Sequence, residues 1–186
     1  MVKTRYEREI NAPRKLVFEI LRDRQAEINL KLPNIAGCEV IEDCAEDGCR
    51  RRIVTEVTAR APIPMLIKPI LSRRQLVWRG IQTWDDKNWI CDYTTEALYF
   101  RENVDVTGRW YFDEKAPGRT ALLIVGVVKI DAKGVPGLPA QLAPPVSALV
   151  EYLIKRMTRP NLDKVCDTVE LMIREEKRAA RRKGKL

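Results

Sequence analysis

The stretch Trp89-Ile90-Cys91-Asp92-Tyr93-Thr94-Thr95-Glu96-Ala97-Leu98 decides the fold. Trp89, Cys91, Tyr93, Thr95 and Ala97 fall on one face and Asp92, Thr94 and Glu96 on the other. That period of two is a half-buried β-strand and not a helix. Moving outward, Val104 to Phe112 repeats the pattern, with Val104, Val106, Gly108, Trp110 and Phe112 opposed by Asp105, Thr107, Arg109 and Tyr111. Arg50 to Ala61 does the same, placing Ile53, Thr55, Val57, Ala59 and Ala61 together. Thr120 to Ile130 is apolar on both faces, which predicts an internal strand with a helix over one side.

Turn chemistry separates these strands. Asp47-Gly48 predicts a tight hairpin and Pro117-Gly118 a type II turn, because glycine accepts positive φ. Asp85-Asp86-Lys87-Asn88, flanked by Trp84 and Trp89, predicts a four-residue hairpin loop. Upstream, Val2 to Ile10 alternates as a first strand, and Asn11-Ala12-Pro13 opens a helix with Asn11 as cap and Leu16, Val17, Ile20 and Leu21 inward. Cys38 to Asp43 is a second strand. Downstream, Pro144 to Lys177 carries a helical apolar stripe that Pro160 interrupts, predicting a kink or two abutting helices. The expected order is strand, one or two short helices, about six strands and a long helix. This is an α+β chain whose curved antiparallel sheet wraps a C-terminal helix around a cavity.

At 186 residues the chain fits a single domain, expected over residues 1–178, with 179–186 as a basic, disordered tail. No apolar run is long enough to span a bilayer and the N-terminus does not open a secretory signal, so a cytoplasmic or organellar interior is the default expectation. The five cysteines, Cys38, Cys44, Cys49, Cys91 and Cys166, lack the C-x-x-C spacing of a zinc site and read as reduced. There is no histidine, which disfavours a catalytic triad, a zinc hydrolase centre and a facial iron site. No glycine-rich nucleotide cradle is present. Neither a cofactor nor a metal is expected.

The net charge of +8 is concentrated at the end: Arg174 to Leu186 holds seven basic residues against two acidic ones. Such a tail is either a solvated terminus or a weak attractor of anionic membrane. Specific nucleic-acid binding has no support, because the aromatics sit within apolar strand faces and not between basic residues. Residues 62–71, PIPMLIKPIL, are apolar yet broken by three prolines, so they form a loop: buried filler, a lid over the cavity, or a membrane contact.

A strand ending Ile10-Asn11-Ala12-Pro13, a helix containing Val17-Phe18-Glu19-Ile20-Leu21, an antiparallel sheet and a long closing helix together resemble the START-like (SRPBCC, Bet v 1-like) helix-grip superfamily over nearly the whole chain. Lys31-Leu32-Pro33-Asn34, Arg50-Arg51-Arg52-Ile53 and Trp110-Tyr111-Phe112 are similar in placement to the PRELI/MSF1 branch. The resemblance implies a hydrophobic ligand held between sheet and helix, and the branch resemblance implies a phospholipid. The expected function is binding or transport of a lipid or other hydrophobic small molecule. An aromatase/cyclase-type enzyme, using Tyr93, Glu96, Arg79 or Arg109, or a protein-interaction module with a filled core, are the alternatives. The expected cavity or lid residues are Met65, Leu66, Ile67, Ile70, Trp78, Trp89, Tyr93, Trp110, Phe112, Leu149, Leu153 and Met157.

Overall fold

The computed structural model describes residues 1–60, 65, 76–99 and 101–183, with side chains described through residue 179. Its strands are β1 (Val2–Ile10), β2 (Ile35–Ala45), β3 (Arg50–Ala59), β4 (Val77–Asp85), β5 (Ile90–Ala97), β6 (Val104–Ala116) and β7 (Arg119–Ile130). Two short helices, α1 (Arg14–Asp23) and α2 (Gln25–Leu30), follow β1, and α3 (Ala143–Lys183) closes the chain. The strands form one antiparallel sheet in the order β1-β7-β6-β5-β4-β3-β2.

Alternation sets which residues look inward. Ile53 and Val57 on β3, Trp84 on β4, Cys91 on β5, Phe112 on β6 and Leu122 on β7 are all buried in one core with α1, α2 and the Val165 to Ile173 stretch of α3. Phe18 of α1 stands edge-on to Trp84 and Phe112, each at 5.0 Å between ring centroids, and to Trp89 at 5.3 Å. Such edge-to-face pairs add about 0.5–1.5 kcal/mol each beyond their area burial, on top of the burial of Val17, Ile20 and Leu21 from the same helix. Internal β7 packs against α3 on one side, as its two apolar faces anticipated.

α3 docks unevenly. Its C-terminal half buries Val165, Cys166, Val169, Met172 and Ile173 in the main core. Its first turns bury Ala143 and Val146 against Ala132 in a separate small cluster. Between them Leu149, Leu153, Ile154 and Met157 are only half-buried. The helix continues through Pro160 as a single element and its backbone reaches Lys183, taking in part of the basic tail.

Local chemistry departs from the sequence expectation in three places. Asn11 does not cap α1; Pro13 occupies that position and no side chain caps the helix. The β2–β3 turn is closed by the Asp47 carboxylate, which accepts from the Cys49 and Arg50 backbone amides, so Gly48 is not needed at positive φ. Trp89 lies outside β5, at φ 56° in the turn after β4. Gly118 does adopt the positive φ, 76°, expected of its turn.

Candidate functional site: a neutral cavity under the C-terminal helix

One row of residues crosses five strands on the inner face: Gln82 opposite Tyr93, Tyr93 opposite Gly108, Gly108 opposite Gly126, and Gly126 opposite Thr4. The paired glycines leave a trough in the sheet, and the Tyr93 ring fills it. A Cβ on Gly108 would stand 2.3 Å from the Val125 carbonyl oxygen and 2.5 Å from the Tyr93 ring and hydroxyl. A Cβ on Gly126 would stand 2.3 Å from that hydroxyl. Real side chains never approach so closely, so glycine at both positions is what lets Tyr93 lie along the sheet.

Above this row is a cavity of about 150 Å³. Thr4, Tyr6, Gln82, Tyr93, Trp110 and Ile124 line it from the sheet, and Thr158 and Leu162 line it from α3. The part of α3 that stands over this open space is Thr158 and Leu162, both half-buried, where a solid core would pack tightly.

None of these lining residues carries a formal charge. The Trp84 indole N–H donates to Gln82 Oε1 at 3.0 Å, which fixes the amide's orientation because the indole is only a donor. Tyr6 donates to Asp163 Oδ1 at 2.8 Å, and Thr158 donates to the Ile154 carbonyl oxygen at 2.7 Å. Burial, with a smaller contribution from nearby Cys91, pushes the Tyr93 phenol upward, so it stays protonated at neutral pH. Burial, reinforced by its bonds to Cys166 and Asp163, raises Tyr6 as well, and burial pushes Cys166 up to about 11. Among the described residues no cluster of acidic, cysteine or histidine side chains is arranged to hold a metal ion.

The residues expected at the site scatter over the fold. Tyr93 and Trp110 line the cavity. Phe112 is packed in the aromatic core behind it, and Trp78 packs against the same core. Trp89 does not line the cavity; it packs on Phe18 with the Arg14 guanidinium 4.5 Å from its ring centroid. Leu149, Leu153 and Met157 are half-buried on α3 and do not line the cavity. Met65 is 89% exposed, and Leu66, Ile67 and Ile70 lie outside the described residues. Arg79, Glu96 and Arg109 point to the outer face, where Arg79 bonds Glu56, Glu96 accepts from Arg101 and Arg109 pairs with Asp92. Thr4, Tyr6, Gln82, Ile124, Thr158 and Leu162 were not anticipated. The signal was present: Thr4 and Gln82 are polar residues on inward faces, and two glycines sit mid-strand without a turn to explain them.

No family model and no curated protein matches this sequence. Solved structures do. An aromatase/cyclase from a Streptomyces species superposes with a TM-score of 0.66 at 18% identity, covering 92% of this chain and 95% of that one. Norcoclaurine synthase from Thalictrum flavum gives 0.60 at 14% identity, covering 94% and 87%. A START superfamily protein from Mycobacterium smegmatis gives 0.51 at 16%, covering 91% and 98%. Similarity at these identities establishes architecture: this chain has the START-like helix-grip fold.

Proposed function

We propose that this protein binds a small hydrophobic molecule in the cavity between the sheet and α3. The observation that carries the reading is a space of about 150 Å³, lined among the described residues by uncharged side chains, beneath the half-buried Thr158 and Leu162 of α3. A cavity of about that volume lined by apolar side chains is known to admit benzene, so the space suits one aromatic ring better than the two acyl chains of a phospholipid. A cyclase-type reaction ranks second. Acid–base chemistry needs a group poised near the working pH, and the lining offers only hydroxyls, an amide and apolar side chains.

Native mass spectrometry of the full chain tests the reading. Wild type is expected to retain small hydrophobic adducts, and Leu162→Phe, which fills the space from α3, is expected to lose them. Equal retention by both proteins, or adducts on neither, would overturn the proposal.

A further inference from the structure

Gln82 reaches the cavity wall from β4 with one end of its amide already committed. The two ends of a glutamine amide look alike, but the Trp84 indole N–H can only donate, so the atom 3.0 Å from it is Oε1 and the opposite end is the NH2. Trp84 is fully buried and stands edge-on to Phe18, so the amide cannot turn without leaving a donor that is locked in the core. Nε2 donates to no acceptor among the described residues, yet it is not one of the sealed polar atoms left without a partner there, which are Arg14 Nε, both Gln25 amide atoms and Asn34 Oδ1. Its two N–H groups are therefore open to a guest, and the space that Gln82 lines is the cavity. The wall's hydroxyls are engaged or remote. Tyr6 donates to Asp163 and Thr158 to the Ile154 carbonyl oxygen. The Tyr93 hydroxyl and Thr4 Oγ1 sit beside Gly126 on β7, three strands across the sheet from β4.

We propose that Gln82 is a specificity-determining residue whose amide NH2 selects, among uncharged single-ring molecules, those bearing an acceptor oxygen, such as an aryl ketone or aldehyde, over the matching hydrocarbon. The inference rests on the ligand-binding reading of the cavity. A carbonyl that enters an apolar space loses its hydrogen bonds to water, and a donor already in place restores one. A hydrocarbon in the same position covers the NH2 and leaves it unpaired. Because Trp84 already holds the amide, little further ordering is needed when the guest arrives.

Acetophenone and its hydrocarbon isostere α-methylstyrene, titrated against the full chain and followed by tryptophan fluorescence, read this preference. Wild type is expected to bind the ketone about fivefold more tightly, the worth of one neutral hydrogen bond. Gln82→Met keeps the side chain's length and deletes the NH2, and the ketone is expected to bind it no more tightly than the hydrocarbon. Gln82→Glu keeps an oxygen for the Trp84 indole and puts a second acceptor in place of the NH2. It is expected to favour the hydrocarbon, and it decides the matter where loss of the indole's partner unfolds the methionine variant. The carbonyl stretch of bound acetophenone is a readout that packing alone does not move, and it is expected at lower frequency in wild type than in either variant. Equal affinity of wild type for the two probes, a carbonyl stretch common to all the proteins, or a ketone preference that survives in either variant would overturn this inference, while α-methylstyrene binding leaves the cavity reading standing. Binding of neither probe by wild type would overturn both.

Discussion

Gly108 and Gly126 look alike in sequence but are constrained differently, and substitution should separate them. A methyl on Gly108 meets the Val125 carbonyl oxygen, a backbone atom that cannot turn aside; a methyl on Gly126 meets chiefly the Tyr93 hydroxyl, with Thr4 and the Thr107 carbonyl at 3.1 and 3.2 Å. Each Gly→Ala change is expected to cost about 1–3 kcal/mol in denaturant unfolding. Adding Tyr93→Phe should recover much of the loss at Gly126 and little at Gly108. Equal rescue at both would show that the Tyr93 hydroxyl, and not the backbone, limits Gly108. The thiol of Cys166 carries a pH dependence of its own. Burial raises it from about 9 to about 11, so the folded state holds a proton that the unfolded chain releases. Its contribution is full below pH 9 and is lost as pH rises toward 11, by an amount on the order of 2 kcal/mol. Tyr6, also raised, adds a loss of the same sign above pH 10. Unfolding free energy plotted from pH 8 to 11 should fall for wild type and fall less steeply for Cys166→Ala; parallel slopes would contradict the assignment.

Elements were legible from sequence where a period repeats, and illegible where one side chain decides. β1 follows from the alternation of Val2 to Ile10, and β7 from a run that is apolar on both faces after a Pro117-Gly118 turn. The β2–β3 turn does not, because an Asp47 carboxylate bonding two backbone amides does what glycine would otherwise do. The cavity wall on α3 was misplaced by about one turn for a related reason. The apolar stripe reads Leu149, Leu153 and Met157, but what faces the cavity is set by how the helix docks, and beyond Pro160 the burial of Val165, Cys166, Val169, Met172 and Ile173 is joined by polar contacts to β1. Arg8 of β1 donates to Asp167 at 2.6 Å and to the Asp163 carbonyl oxygen at 3.0 Å, while Tyr6 holds the Asp163 side chain. Nothing in the spacing of a sequence links residues 8 and 163. Arg8→Ala is expected to destabilise the fold by about 1–2 kcal/mol and to raise hydrogen exchange in α3 around residues 160–167 ahead of the sheet. Uniform exchange changes across sheet and helix would argue against a latch at that point.

At the scale of the whole molecule, the order of strand, one or two short helices, about six strands and a long helix was readable because most elements announce their period, although β4 was not read as a segment of its own. The interior was not readable to the same depth. Alternation says which residues point inward; it cannot say that two glycines opposite each other leave a trough, that a tyrosine lies in it, or that α3 stands off the sheet above Trp110 and Ile124. Among the described residues, the side chains that line the cavity carry no formal charge. The most direct test of a ligand site between sheet and α3 is a crystal structure of the full chain grown with a saturating single-ring ligand such as acetophenone. The expected result is density for the ring against Trp110, Ile124 and Leu162, beneath α3. A closed interior with those side chains in mutual contact, or ligand bound only on the outer face of the sheet, would contradict it.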